Sequence, residues 1–250
     1  MLTRESNEIL ALGDTAGFML IETLVAMISA IVVTGALFAI LIVSLHQTSR
    51  ITGRVQATQL GRTTMTRMVD ELHSACISRE FTPIQAKSSE TELIFISGVG
   101  PEAVLSKAYL HKISYSKTEG TLVETTIASS SGEWPNFEYK STPTTRRIGE
   151  YISQTKTGKE EEPIFQYYKY AESSTSTNAV TTLEPKALEA KAGTGLSGAL
   201  AKEAAAVQIN YTAGAPEGKQ YKPTIELSDQ VTLAFTAPSA ETPIAAKPCE

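Results

Sequence analysis

Gly17-Phe18-Met19-Leu20-Ile21-Glu22-Thr23-Leu24-Val25-Ala26-Met27 opens a stretch that runs apolar as far as Leu45. Between Phe18 and Leu45 the only formal charge is Glu22. As a helix this stretch is ~40 Å long, against about 30 Å of bilayer hydrocarbon. It is therefore read as a membrane-spanning segment. A carboxylate inside such a segment is costly and calls for a partner, either a cation or unpaired amide N–H groups. Its apolar core is about twice the 7–15 residues of a secretory signal peptide, and no small-x-small cleavage site follows it closely.

Working outward from this segment, no proline precedes Pro83. The sequence is compatible with one long helix from Phe18 to about Ser78. His46-Gln47-Thr48-Ser49-Arg50 ends the lipid-compatible part. Ile51, Val55, Met65, Val69, Leu72 and Cys76 then recur at three- and four-residue steps, the stripe of an amphipathic helix expected to pack on a head domain. Gly35, Gly53 and Gly61 fall inside the helix, each costing roughly 1 kcal/mol relative to Ala. Gly35 reads as close packing, and Gly53 and Gly61 as weak points or hinges.

The register of Gly17, Phe18, Glu22 and the unbroken apolar run resembles the type IV prepilin signature, shared by pilins and pseudopilins. At motif level the resemblance covers about the first 45 residues. It implies a leader over residues 1–17, cleavage between Gly17 and Phe18 by a prepilin peptidase, and N-methylation of Phe18. It also implies a role for Glu22, the fifth residue after the cut, in subunit assembly. In a staggered bundle of helices the Glu22 carboxylate meets the Phe18 amine of a neighbouring subunit, which removes two charges from hydrocarbon and sets the axial stagger. Two features depart from the usual pattern. The leader carries Arg4 against Glu5, Glu8 and Asp14, and Arg50, Arg54, Arg62 and Arg67 follow the apolar run. Read alone, the positive-inside rule would place the C-terminal side in the cytoplasm. The cleavage motif outweighs it and places the head on the exported side.

Removing the leader and helix leaves about 170 residues, enough for one domain that buries close to 70% of its unfolded-chain surface. The net charge of −5, with acidic residues spread along the chain, excludes the basic stripe that direct nucleic-acid binding needs. The four arginines read as solvated or as partners of neighbouring subunits. On the exported side an even pair of cysteines, Cys76 and Cys249, suggests one disulfide tying the C-terminus to the base of the head. No Cys-x-x-Cys spacing is present, so neither a metal site nor a redox pair is expected.

Past residue 80 the pattern changes to strands. Thr91–Ser97, Tyr109–Tyr115, Thr121–Ile127, Pro163–Tyr170, Ala206–Thr212 and Gln230–Thr236 are rich in β-formers, and several alternate. Lys117-Thr118-Glu119-Gly120 turns the second into the third as a hairpin. Ala199 to Ala205 reads as a helical turn or two. Ser129–Thr145 and the low-complexity stretch Ala171–Gly198 read as irregular. The expected fold is α+β, with a long N-terminal helix over residues 18–79 packed against an antiparallel sheet within a head over residues 80–250.

Signals for catalysis are weak. Gly193-Thr194-Gly195-Leu196-Ser197-Gly198 matches the dinucleotide-binding glycine pattern, but Ala187-Leu188-Glu189-Ala190-Lys191 before it does not read as a strand, and a βαβ unit is needed. A loop with Ser197 capping a short helix is the simpler reading. His46, His73 and His111 are scattered, and Asp70, His73 and Cys76 read as a solvated or core-edge helix face. No catalytic residues, metal ligands or cofactors are expected, and the chain does not read as an enzyme. The reading is a single-pass membrane protein with an exported head, a minor pilin or pseudopilin akin to the bulky J-type tip subunits. Such a subunit primes, caps or joins a filament used for secretion, DNA uptake or adhesion. The implied partners are a prepilin peptidase, other pilins or pseudopilins, an inner-membrane assembly platform and membrane lipid. The alternative is a membrane-anchored surface domain with an adhesive or binding head.

Overall fold

The computed structural model describes residues 20–75, 83–98, 108–133, 136–169, 186–188, 190, 193–215 and 223–233. The fold is α+β. One helix, α1 (Leu20–His73, 54 residues), is joined to antiparallel strands. The chain divides into two compact units, residues 1–48 and residues 49–250, so the second half of α1 belongs to the head.

Four strands form the first sheet: β1 (Glu92–Gly98), β2 (Ala108–Ser116), β3 (Thr121–Ala128) and β6 (Thr144–Gly149). Their order is β1-β2-β3-β6, every pair antiparallel. Between β3 and β6 lies a small hairpin, β4 (Ser131–Glu133) with β5 (Asn136–Glu138). The second sheet is built on β12 (Ala206–Gly214). It runs β11 (Lys186–Leu188), β10 (Phe165–Lys169), β12, β13 (Thr224–Thr232), with β7 (Ile152–Ser153) also paired to β12. A second small hairpin joins β8 (Lys156–Thr157) to β9 (Glu160–Glu161). A short helix, α2 (Gly198–Glu203), precedes β12.

The expected β2–β3 hairpin is present. Gly120 closes its turn at φ 62° and donates its N–H to Ser116 O at 2.8 Å, a left-handed conformation that disfavours a side chain. Ser197 caps α2 as expected, its side chain accepting from Leu200 N.

Within the head, α1 buries Gly53, Ala57, Gly61, Thr64, Met65, Met68 and Leu72. Met65 and Leu72 of the expected stripe are buried and Val69 packs partly against the core, but the stripe differs at its N-terminal end. Ile51 and Val55 are exposed, at 65% and 49%, while the small residues lie underneath. The reason is close approach. A Cβ on Gly61 would fall 2.8 Å from Ala213 Cβ and nearer still to Leu227 Cδ1. The Tyr211 hydroxyl donates to Gly61 O at 2.7 Å. Gly61 therefore seats the helix on β12 and β13, where the sequence suggested a hinge. Thr64 meets β6 through its hydroxyl, which donates to Ile148 O at 3.1 Å.

Other expectations are corrected. Ser129–Thr145, read as irregular, contains the β4–β5 hairpin and the start of β6. The last described strand runs Thr224–Thr232, starting earlier than the expected 230–236, and pairs with β12 over nine residues; 234–236 lie outside the described residues. A strand, β11, does precede the glycine-rich motif, but it is antiparallel to β10 and makes no βαβ unit. In that motif Gly195, at φ 63°, lies so near the Lys87 backbone that a Cβ there would overlap it. Lys87 N and Leu196 O are paired at 2.8 Å, and Leu196 N and Ser88 O at 2.7 Å. Gly195 thus packs its loop onto the turn before β1.

Candidate functional site

Two sets of residues carry chemistry. The first is the N-terminal half of α1. Its large side chains are exposed from Leu20 (83%) through Ile31 (71%) to Leu45 (61%). By length and composition the helix can cross a membrane, and nothing in its most apolar window is buried. Glu22 lies in its first turn, where unpaired amides and the helix dipole favour a carboxylate. The next ionised side chain along the helix is Arg50, ~42 Å further on. Gly17, Phe18, Cys76 and Cys249 lie outside the described residues, and so does the expected disulfide. Asp70 and His73 are exposed, as expected of a solvated helix face.

The second set was not found by reading the sequence. It lies on the face of the first sheet that meets α1. Ser97 on β1 follows the core residues Leu93 and Phe95 in register, His111 on β2 is two residues from buried Ile113, and Glu124 on β3 is two from buried Leu122. Alternation puts all of them on one face. Ser97 is paired with Tyr109, and Ile113 with Glu124, so His111 is diagonal to both Ser97 and Glu124. Arg146 on β6 stands directly opposite Glu124. A polar row thus crosses four strands, and Glu71 from α1 lies over it.

The contacts are close. Ser97 Oγ is 2.9 Å from His111 Nε2, and His111 Nδ1 is 2.8 Å from Glu124 Oε1. Glu71 Oε2 is 3.7 Å from the same Nδ1. Arg146 Nε donates to Glu124 Oε2 at 2.6 Å, and its Nη2 donates to Glu71 Oε1. The Phe95 ring stacks on the imidazole, centroids 5.0 Å apart and 12° from parallel. Glu124 is wholly buried, which by itself would disfavour its charge. Hydrogen bonds from His111 and Arg146, together with the guanidinium charge, overcome this and hold its carboxyl at about 2. An ionised Glu124 can only accept. The proton of a neutral imidazole therefore sits on Nδ1, and the Nε2 lone pair faces the Ser97 hydroxyl. An open cleft of about 510 Å³ borders the row, lined by Ser97, His111, Thr126, Thr144, Arg146 and Glu71 among others.

Glu71, His111 and Glu124 bring one possible ligand atom each to within 4.8 Å of one another, close enough for a cation to be considered. Arg146 already bridges the outer oxygens of both carboxylates, so a divalent ion at Nδ1 would sit beside a fixed positive charge and would have to displace the Nδ1 proton. No family model, curated protein or solved structure matches this chain.

Proposed function

We propose that this chain is a minor pilin-like filament subunit, anchored in a membrane by the first half of α1 and presenting the β-rich head outside it. The observation that carries the reading is the combination on one continuous helix. One half exposes a large apolar surface with a single carboxylate in its first turn, and the other half is built into the head core. A bare anchor requires the apolar surface but gives Glu22 no purpose. A filament subunit requires both, with Glu22 offsetting a neighbour's terminal amine. The Gly17-Phe18 register supports the same reading. A bulky two-sheet head favours a position at the filament tip or its start over one in the shaft.

Two experiments test this. Co-expression with a prepilin peptidase is expected to remove 17 residues and leave methylated Phe18, as read by intact mass. An unprocessed chain, unaffected by Gly17→Val, would remove the basis of the reading. Glu22→Ala is expected to abolish or strongly reduce co-purification with other pilins, since it leaves an amine unpaired in a low-dielectric site at a cost on the order of several kcal/mol. Membrane abundance of the variant should be unchanged or higher. Unaltered co-purification would favour a membrane-anchored binding head.

A further inference from the structure

We propose that Ser97, His111 and Glu124 form a nucleophile–base–carboxylate relay at the wall of the head cleft, able to accept an acyl group on Ser97. The inference is independent of the filament reading.

Three features point beyond a buried network that merely holds the sheet together. The first is direction. Neutralising Glu124 takes only Arg146, and fixing the imidazole takes only Glu124 and the Phe95 ring. The remaining lone pair, on Nε2, is aimed at a hydroxyl on the cleft wall at 2.9 Å, within the reach needed for proton transfer. The second is charge. Two carboxylates, Glu71 and Glu124, face one guanidinium, leaving one net negative charge around a neutral imidazole. Accepting the serine proton makes that set neutral, so the imidazolium is favoured as Ser97 attacks. A divalent cation at the same spot would instead leave one net positive charge. The third is position, since Ser97 and His111, although only 4% and 7% exposed, both line the cleft. A triad is recognised by geometry and roles, and Ser97, His111 and Glu124 on three adjacent strands meet the two hydrogen-bond distances that link nucleophile, base and carboxylate.

The chemistry closes on itself with water. Ser97 Oγ attacks the carbonyl carbon of an ester while its proton passes to His111 Nε2. The carbon–oxygen bond to the alcohol breaks, and the Nε2 proton leaves with the alkoxide as free alcohol. Water, deprotonated by His111, then attacks the acyl-serine, releases the carboxylic acid and restores Ser97. Glu124 holds the ring by its Nδ1–H throughout and is a positioning residue. The net negative charge and the hydroxyl of Thr144 on the cleft wall favour an ester of a polar alcohol with no negative charge.

The test uses the full chain in detergent with a fluorophosphonate probe and 4-nitrophenyl acetate. The probe should add one phosphonyl group, mapped to Ser97 by peptide mass, and Ser97→Ala should add none. His111→Asn should slow labelling and ester cleavage by about 10²-fold or more, the ordinary contribution of a positioned base. Glu124→Gln should change the pH profile of labelling as well as its rate, which a purely structural residue would not do. Should either of these variants fail to fold by circular dichroism, the wild-type profile decides. Labelling that rises with pH to a plateau supports the relay, and pH-independent labelling overturns it. An unlabelled folded protein overturns the proposal, as does labelling at another serine. Labelling that requires a divalent cation and vanishes with a chelator also overturns it, in favour of a metal site at Glu71, His111 and Glu124.

Discussion

The two halves of α1 treat their side chains differently: the first half buries none, and the second buries a stripe in which small residues stand beside Met65, Met68 and Leu72. From Leu20 to Leu45 the helix carries leucines, isoleucines and valines, and most of these stay exposed. From Gly53 to Leu72 the buried residues include two glycines, an alanine and a threonine, while Ile51 and Val55 face outward. Burial in the head is decided by how near the helix backbone must come to β12, β13 and β6. Among the described residues, nothing buries the first half. Side-chain hydrophobicity thus marks an uncovered surface in one half and only the Met65–Leu72 end of the contact face in the other.

The largest effect expected from this comparison is on partition. Every residue that α1 buries lies at or beyond Gly53. Removing residues 1–48 should move the protein entirely from the membrane fraction to the soluble fraction, with a cooperative unfolding transition retained. A truncated chain that fails to fold would show that the apolar half supports the head and would break the distinction.

Next in size is the polar row beneath the second half. Arg146→Ala leaves Glu124 buried with its main cation gone. A broken buried pair costs about 3–5 kcal/mol, and the low end applies because Arg146 is partly exposed and His111 remains. The pH dependence follows from the depressed carboxyl. Its folded value, about 2, lies below the ordinary 4.5, so the stabilisation is fully present above about 4.5 and is lost as pH falls towards 2. That shift corresponds to about 3 kcal/mol. Denaturant unfolding should therefore separate wild type from Arg146→Ala clearly at pH 7, with the gap closing between pH 4.5 and 2.5. A gap that stays constant over this range would remove Glu124 as its source.

Gly61→Ala comes third. Its new methyl would meet Ala213 and Leu227, and overpacking costs typically 1–3 kcal/mol, partly offset by about 1 kcal/mol of gained helix propensity. Gly61→Val adds branching and should cost more than Gly61→Ala. If Gly61→Ala stabilised the head, the hinge expected from the sequence would be the better description.

The sequence made the strands and the Met65–Leu72 end of the helix contact face legible, but not the Gly53–Gly61 end, for physical reasons visible in these residues. Leu93-Ile94-Phe95-Ile96 and Ala206-Val207-Gln208-Ile209 carry branched and aromatic side chains that declare a strand locally. Gly53, Ala57 and Gly61 have little side chain to declare anything, and the role of Gly61 shows only when β12 and β13 are placed against it. The polar row had a partial signal, since Ser97, His111 and Glu124 occupy core-register positions where apolar residues belong. Polar residues at such positions need partners. Sequence spacing could not say that strands 13 and 14 residues apart align these side chains diagonally. Arg146 was hidden because β6 is an edge strand whose first four residues are all exposed, so no alternation marks it. A stretch rich in serine, threonine and proline before it reads as a loop.

The smallest expected effect falls on Gly35, the counterpart of Gly61 in the other half. A Cβ on Gly35 would meet nothing within 4 Å, so the described residues give this glycine no contact to protect. Gly35→Ala removes about 1 kcal/mol of helix penalty. That gain belongs to a segment outside the compact head, so the head's unfolding midpoint in detergent should not move. A shift of the midpoint would mean that the two halves unfold as one unit. In the filament reading the same glycine is a place for a neighbouring helix to approach closely. Gly35→Leu should then lower co-purification with other pilins while remaining silent in the isolated chain. If Gly35→Leu is silent in both measurements, Gly35 is not a contact point, and Glu22 is left as the main assembly determinant on the apolar half.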